Sequence, residues 1–296
     1  MVQVLMSTYN GEKYVREQID SILGQTYQDI QVLIRDDGSQ DGTLFILKDY
    51  SEKYNNIKYY SGENLGTQNS FYDLFDHVDD AAEYIATCDQ DDVWYPDKIE
   101  SAVQCLDSLK EPGLYCCRTQ ITDENLNPLK DKLRDYTPKI AFGNALIENI
   151  CTGCTMVVNR QFYNLVKNKW PQKSLIHDWW FYLTAVSFGK VFYDNQPHIY
   201  YRQHGDNVIG LDTGRWGLIK RQIKSFRRFR GTYTAQIEEF LQTFSLEGEN
   251  KYLASLMAGT KTSWKCRVKI LFERRIFRQG KFDNLLFKGM MFLGIL

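Results

Sequence analysis

Through the first 120 residues, short apolar runs alternate with stretches in which apolar residues recur every three to four positions. The short runs predict strands at Val2–Met6, Ile30–Ile34, Ile57–Tyr60, Tyr84–Cys88 and Leu114–Cys117. Between them the 3.6-residue period predicts helices. One spans Glu12–Gln25, with Val15, Ile19, Ile22 and Leu23 on one face. Others follow at Thr43–Tyr54, Asn69–His77 and Asp97–Leu109, where Pro96 suits a first turn. Strands that are apolar on both sides, each followed by a helix, imply an α/β fold with a mostly parallel sheet covered on both faces. The pattern is less regular over 119–210, where Asp178–Phe188 reads as a helix and His198–Gln203 as a strand. From Gly214 onward the chain turns basic and helical, with no repeat or low-complexity linker.

Composition changes this picture in one respect. The 296 residues have a net charge of −1 and 43% apolar content, enough for a sizeable core. Residues 1–210 hold 19 Lys+Arg against 30 Asp+Glu, and residues 211–296 hold 17 against 7. The expected organisation is therefore an acidic part over 1–210 and a basic extension over 211–296, which would face an anionic partner. No N-terminal leader and no run of about 18 apolar residues is seen, and the final GMMFLGIL is too short to span a bilayer. Seven cysteines without a dense framework point to a reducing, cytoplasmic setting. Cys151-Thr-Gly-Cys154 lacks the partner ligands of a zinc site, so buried thiols are expected.

In open α/β sheets, ligands bind beyond the carboxyl ends of the strands. Three polar motifs fall there: STYNGE (Ser7–Glu12), RDDGSQDGT (Arg35–Thr43) and ATCDQDDVWYPD (Ala86–Asp97). Asp89, Asp91 and Asp92 crowd negative charge at the end of the fourth strand, with Lys98 as the nearest cation along the chain. Hard divalent ions such as Mg²⁺ or Mn²⁺ take oxygen ligands, so Asp91 suits direct ligation, with Asp89 supporting through water or a ribose. Asp92 is equally suited to favouring the next helix's dipole. Neither acidic stretch completes an EF-hand: Val93 and Lys48 stand where oxygen ligands are required. RDDGSQDGT alone reads as a turn with Asp41 capping a helix; beside the other motifs, one of its carboxylates suits a base or ribose.

Taken together, STYNGE, DDGSQDGT and DQDDVWYPDK resemble family 2 of the inverting glycosyltransferases, which have the GT-A fold. The resemblance covers about residues 1–210 and implies a catalytic domain there, with a nucleotide-binding part over about 1–118 and an acceptor part over about 119–210, a nucleotide-sugar donor, dTDP- or UDP-linked, and a divalent metal. It implies that Thr8, Tyr9, Asn10 and Glu12 lie near the nucleotide, that Asp37 reads the base, and that Asp89 and Asp91 are the ends of the metal-binding DxD. It places Asn64 and Gly66 near the donor's sugar or diphosphate, although Asn64-Leu65-Gly66 also reads as a plain turn. DQDDVW is similar to the variant in rhamnosyltransferases that build bacterial surface polysaccharides.

Transfer to a hydroxyl requires a base. LIHDWW supplies Asp178, which matches the family's base position, with His177 where many relatives carry another acid. Asp178 also reads as a helix cap, and Trp179 and Trp180 as core or as a sugar platform. YRQHGDN resembles a family stretch in which Arg202 would offset phosphate charge and His204 would ligate the metal or bond the diphosphate. A nucleotidyltransferase is the alternative enzyme, but it calls for a glycine-rich basic loop after the first strand. A non-catalytic carbohydrate- or membrane-binding scaffold sits poorly with the intact acidic set. In Trp216–Arg230, aromatic and aliphatic residues share one helical side and cations the other, a pattern for an anionic membrane surface or for packing against a protein. Lys261–Lys288 is a second basic, aromatic cluster. The expected partners are a glycan or polyprenyl-linked glycan acceptor and the inner membrane face. Nucleic acid is disfavoured by the acidic front, and an oligomer is compatible with the sequence.

Overall fold

The computed structural model describes residues 1–129, 136–204 and 231–296. Its eight strands form one mixed sheet in the order β3-β2-β1-β4-β7-β6-β8-β5. They are β1 (Val2–Thr8), β2 (Ile30–Asp36), β3 (Ile57–Ser61), β4 (Tyr84–Cys88), β5 (Val93–Trp94), β6 (Gly113–Thr122), β7 (Val157–Asn159) and β8 (Lys190–Arg202). The pairs β1–β2, β1–β4, β2–β3 and β6–β8 are parallel, while β7 and β5 pair antiparallel. The mostly parallel sheet matches the apolar strand pattern. β7 and β5 are three and two residues long, too short to show a period in sequence.

Helices α1 (Val15–Leu23), α2 (Thr43–Lys53) and α4 (Lys98–Leu106) bury Ile19, Ile46, Leu47 and Ile99 against Val4, Met6, Val32 and Ala86. Side chains alternate across a strand, so Leu5 and Ile85 point to the opposite face. There α3 (Gly66–Asp76) and α6 (Arg160–Val166) contribute Phe71, Phe75, Phe162 and Tyr163, all buried. The Phe75 and Tyr163 rings meet at 6.4 Å.

Two predicted helix starts move for a physical reason. The α1 helix begins at Val15 because the Glu12 amide donates to Asp41 Oδ2 and the Glu12 carboxylate accepts from the Gly42 amide, tying that residue to the neighbouring loop. The α3 helix begins earlier, at Gly66, because Asp37 accepts the amides of Leu65 and Gly66 and so caps its N-terminus. Pro96 precedes α4 by two residues, with Asp97 between them.

Over the described residues the chain forms two compact units that interleave in sequence. The first comprises Met1–Thr137, Cys151–Asn168 and Gly189–Asn207, and contains the sheet. The second comprises Pro138–Ile150, Lys169–Phe188 and Val208–Leu296. It is helical: α5 (Phe142–Ala145), α7 (His177–Phe188), α8 (Thr232–Thr243), α9 (Gly248–Gly259), α10 (Trp264–Phe272) and α11 (Lys281–Phe292). The α7 helix is apolar nearly all round, as a buried helix must be. Its Trp180 packs edge-on against Phe240 at 5.1 Å, and Phe188 meets Phe244 at 5.3 Å. The segment Trp216–Arg230 lies outside the described residues.

Candidate functional site

The carboxyl ends of β1, β2 and β4 coincide because these strands are parallel and adjacent. The loops that leave them are bonded to one another. Thr8 Oγ1 donates to Asp36 Oδ1 at 3.1 Å, and Asp36 also accepts from the Gly38 and Ser39 amides and from Ser39 Oγ. The Asn10 amide donates to Ser39 Oγ, and Asn10 Oδ1 accepts from the Gln40 amide. Asn10 sits at φ 48, a left-handed conformation that Asn tolerates. Burial opposes ionisation of Asp41, but bonds from Thr43 and from the Glu12 amide outweigh it and hold the carboxyl below its ordinary range.

Gln90, between Asp89 and Asp91, grips the first loop. Its Oε1 accepts the Tyr9 amide at 2.9 Å and its Nε2 donates to the Tyr9 carbonyl at 3.0 Å. A Cβ on Gly11 would come within 2.2 Å of Gln90 Oε1, so glycine permits the approach. The Tyr9 ring remains 45% exposed at the rim. Sequence reasoning missed Gln90, because an amide between two acids carries no periodic signal.

Asp37 is buried and its carboxylate is committed. It pairs with the buried Arg35 and accepts the Leu65 amide at 2.8 Å and the Gly66 amide at 2.9 Å. Arg35 also donates to Asp73 and to the Glu63 carbonyl. Asn64 Oδ1 accepts from the Gly66 amide at 3.2 Å, and Gly66 takes φ 74. Asp37 thus fixes the Asn64–Gly66 loop beside β2.

The acidic cluster finds its partners at the end of β8 and just beyond it rather than along its own loop. His204 Nε2 lies 2.8 Å from Asp91 Oδ2, and the His204 ring stacks on Tyr14 at 4.9 Å. Arg202 is buried; its Nε donates to the Asp91 carbonyl at 2.9 Å and its Nη1 to the Glu124 carbonyl, and its Nη2 pairs with Glu17. Its guanidinium also lies 4.7 Å over Tyr14. Arg202 and His204 therefore converge on Asp91, one at its backbone and one at its carboxylate. A cleft of about 290 Å³ lined by Tyr14, Glu17, Glu124 and Arg202 opens beside them. Tyr14 and Glu17 sit one turn apart at the start of α1, a spacing the apolar face of that helix does not explain.

Asp92 is fully buried. Burial first, then the charges of Asp91 and Asp89, push its carboxyl well above the usual range. Its Oδ1 accepts the Arg202 amide at 3.1 Å, while Oδ2 has no hydrogen-bond partner among the described residues. Ligand atoms of Asp89, Asp92 and Cys154 lie within 4.8 Å of one another. A buried, unpaired carboxylate oxygen is costly unless a proton or a cation meets it. The two carboxylates of this set suit a hard divalent ion, while the third group is a thiol and Asp91 is not part of the set. Lys98 is buried too, its Nζ 3.5 Å from the Trp94 ring, and burial lowers its pKa. Cys154 and Cys151 are buried thiols, and Cys116 Sγ donates to Cys151 Sγ at 2.7 Å.

Asp178 belongs to the helical unit, in the first turn of α7 and nearly buried. The neighbouring His177 has its pKa lowered to about 3 by burial, so it is neutral near pH 7. Trp179 and Trp180 are both core: Trp179 Nε1 donates to the Ala145 carbonyl at 2.6 Å.

Comparison with known proteins places this arrangement. The family model "Glycosyl transferase family 2" matches residues 3–166. The chain is 32% identical over 235 residues to the dTDP-rhamnosyl transferase RfbG of Shigella flexneri, covering 73% of this chain and 80% of that protein. It is 36% identical over 108 residues to the putative glycosyltransferase EpsE of Bacillus subtilis, 36% of this chain and 38% of the relative. Among solved structures, S. aureus TarS 1–349 in complex with UDP-GlcNAc superposes with a TM-score of 0.62 at 17% identity, covering 87% of this chain and 70% of that one. Mannosyltransferase PcManGT from Pyrobaculum calidifontis, in complex with GDP-Man and Mn²⁺, gives 0.56 at 16% identity over 99% and 85%. These likenesses identify the fold as GT-A. A sheet rim built from the Ser7–Glu12, Arg35–Thr43 and Asp89–Asp92 loops, matched by the family model and by a relative over most of the chain, shows that this protein is a glycosyltransferase and belongs to glycosyl transferase family 2.

Proposed function

We propose that the protein transfers a sugar, L-rhamnose from a dTDP-linked donor, with inversion, to a hydroxyl of a lipid-linked glycan in bacterial surface polysaccharide synthesis. The observation that carries this reading is the interlocked acidic rim around Asp91, in a chain whose 32% identical relative is named a dTDP-rhamnosyl transferase.

The donor's nucleotide is assigned to the β1 and β2 loops. The exposed Tyr9 ring offers a stacking face, Thr8, Asn10 and Glu12 hold the loop that presents it, and Asp37 fixes the Asn64–Gly66 loop against which the diphosphate would lie. Asp91 and Asp89, with Asp92 and His204 beside them, are the groups that would hold Mg²⁺ or Mn²⁺. When bound, such an ion neutralises charge on the departing diphosphate. Arg202 braces the Asp91 backbone and brings a fixed positive charge close behind it. Asp178 takes the proton of the acceptor hydroxyl as its oxygen attacks the anomeric carbon. A single displacement inverts that carbon, and no covalent enzyme intermediate is required. His177, neutral and buried, keeps a second charge away from Asp178.

No helix among the described residues is long and apolar enough to cross a membrane. A lipid-linked acceptor at the inner membrane face therefore calls for peripheral contact, to which the charge of residues 211–296 is suited.

Transfer assays over dTDP-rhamnose, UDP-sugars and GDP-mannose, with and without Mn²⁺, test the reading. dTDP-rhamnose with metal is expected to give inverted product. Asp178→Asn should abolish transfer while donor binding persists in calorimetry. Full transfer by that variant would remove Asp178 as base, and metal-independent turnover would remove the ion.

A further inference from the structure

The last two helices expose apolar side chains that no described segment covers. On α11 and its C-cap residue, Phe282, Leu285, Phe292 and Leu293 fall within one arc of roughly 100° at 100° per residue. Leu285 is 72% exposed and Leu293 66%. The opposite arc, Phe287, Met290 and Met291, is buried in the helical unit. A surface helix of a globular protein normally shows one apolar face; α11 shows two. On α10, Trp264 and Phe272, two turns apart, are 69% and 77% exposed, while Ile270 faces inward. The two helices pack on each other: a Cβ on Gly294, just past α11, would strike the Arg267 guanidinium of α10.

Charge decides what covers this face. Lys265, Lys269, Arg274 and Lys281 are exposed on or beside the two helices, and none has a carboxylate within ion-pair range among the described residues. The acids of the hairpin are withdrawn: Glu273 is held by Arg275, and Asp283 is half-buried. Lys265 and Lys269 lie four residues apart, on the flank of the Trp264–Phe272 stripe. Outward aromatic and aliphatic side chains bordered by unpaired cations match an interfacial surface: rings enter the acyl boundary and ammonium groups meet lipid phosphates. A second copy of this chain would instead oppose lysine to lysine.

We infer that the outer faces of α10 and α11 form a docking surface for an anionic lipid bilayer. The inference rests on the acceptor being carried by a membrane, and it supplies the contact that would bring the enzyme there.

Co-sedimentation of the full chain with sucrose-loaded phosphatidylcholine vesicles, with and without phosphatidylglycerol, tests it. Anionic vesicles are expected to bind the chain and neutral ones to bind it weakly. Phe282→Ser/Leu285→Ser/Leu293→Ser removes apolar surface without changing charge and should weaken binding at least about tenfold. Lys265→Gln/Lys269→Gln should weaken anionic binding by about tenfold or more and leave the weak neutral binding unchanged. If the triple variant loses its helical circular dichroism, the lysine pair and single Leu285→Ser decide. Transfer to a soluble glycan acceptor is measured beside binding: both sets should retain it, so its absence throughout would sink the proposed activity and leave docking standing. Undiminished vesicle binding by both sets overturns the inference. So does light scattering that shows a lipid-free dimer which the triple variant splits into monomers, since the face would then join two copies.

Discussion

The sheet rim and the C-terminal helices invert the usual rule of burial in opposite directions. At the rim, Arg35, Asp36, Asp37, Asp92 and Arg202 are ionisable side chains, and all are buried. On α10 and α11, Trp264, Phe272, Leu285 and Leu293 are apolar and exposed. A buried charge is costly unless each of its lone pairs or protons is met. The rim meets nearly all of them with backbone amides and neighbouring side chains, which makes its loops a fixed frame. Exposed apolar groups impose no such internal order. They gain only when something outside the chain covers them, so the second region is organised for contact rather than for geometry.

The same residue type in both settings sharpens this contrast most. Trp180, wholly buried against Phe240 and Phe244, should cost about 3 to 5 kcal/mol when replaced by alanine. Trp264→Ser should change stability by no more than about 0.5 kcal/mol in urea unfolding. Equal costs would show that the outer face is packed after all. At the rim, Asp91→Ala should lower kcat/KM for transfer by about two to three orders of magnitude with little change in unfolding midpoint. Arg202→Met should do the reverse in part. Stripping the bonds to the Asp91 and Glu124 carbonyls and the pair with Glu17 should lower stability by about 2 to 3 kcal/mol, read by urea denaturation. An Arg202 variant of unchanged stability would free that side chain for a direct role on the donor.

A further effect concerns pH. His177 titrates at about 3 in the folded chain and near 6.5 when unfolded. Below pH 6.5 the unfolded state binds the proton first, so stability falls as pH drops from 6.5 toward 3. At pH 5.5 the loss is about 1 to 1.5 kcal/mol. His177→Leu should flatten this slope in melts taken between pH 7 and pH 5; an unaltered slope would assign the acid sensitivity to other groups.

Much of the rim was legible in advance because strand ends and turn chemistry are local. The 3.6 and 2.0 periods located β1 to β4 and their helices, and parallel neighbours necessarily bring their carboxyl ends together. What each acid does there was not legible. Asp37, matched to base recognition through the family motif, has its carboxylate engaged by Arg35 and two amides, which no spacing announces. Asp92, equally readable as a helix-dipole residue, is the most deeply desolvated of its cluster. Trp179 and Trp180 offered both core and sugar platform, and both are core.

By itself, the order of apolar and polar residues determined the α/β class, the sheet's binding edge and the charge division of the chain. These follow from short-range sterics and from the water-driven burial of periodic faces. Only tertiary structure decided the sheet order, the interleaving of 138–150 and 169–188 with the C-terminal helices, and the partners of Asp91. The reason is that β8 brings Arg202 and His204 to Asp91 from more than 100 residues away. Which side chain meets which across such a separation is set by how strands pair, and strand pairing leaves no periodic trace in the residues that are joined.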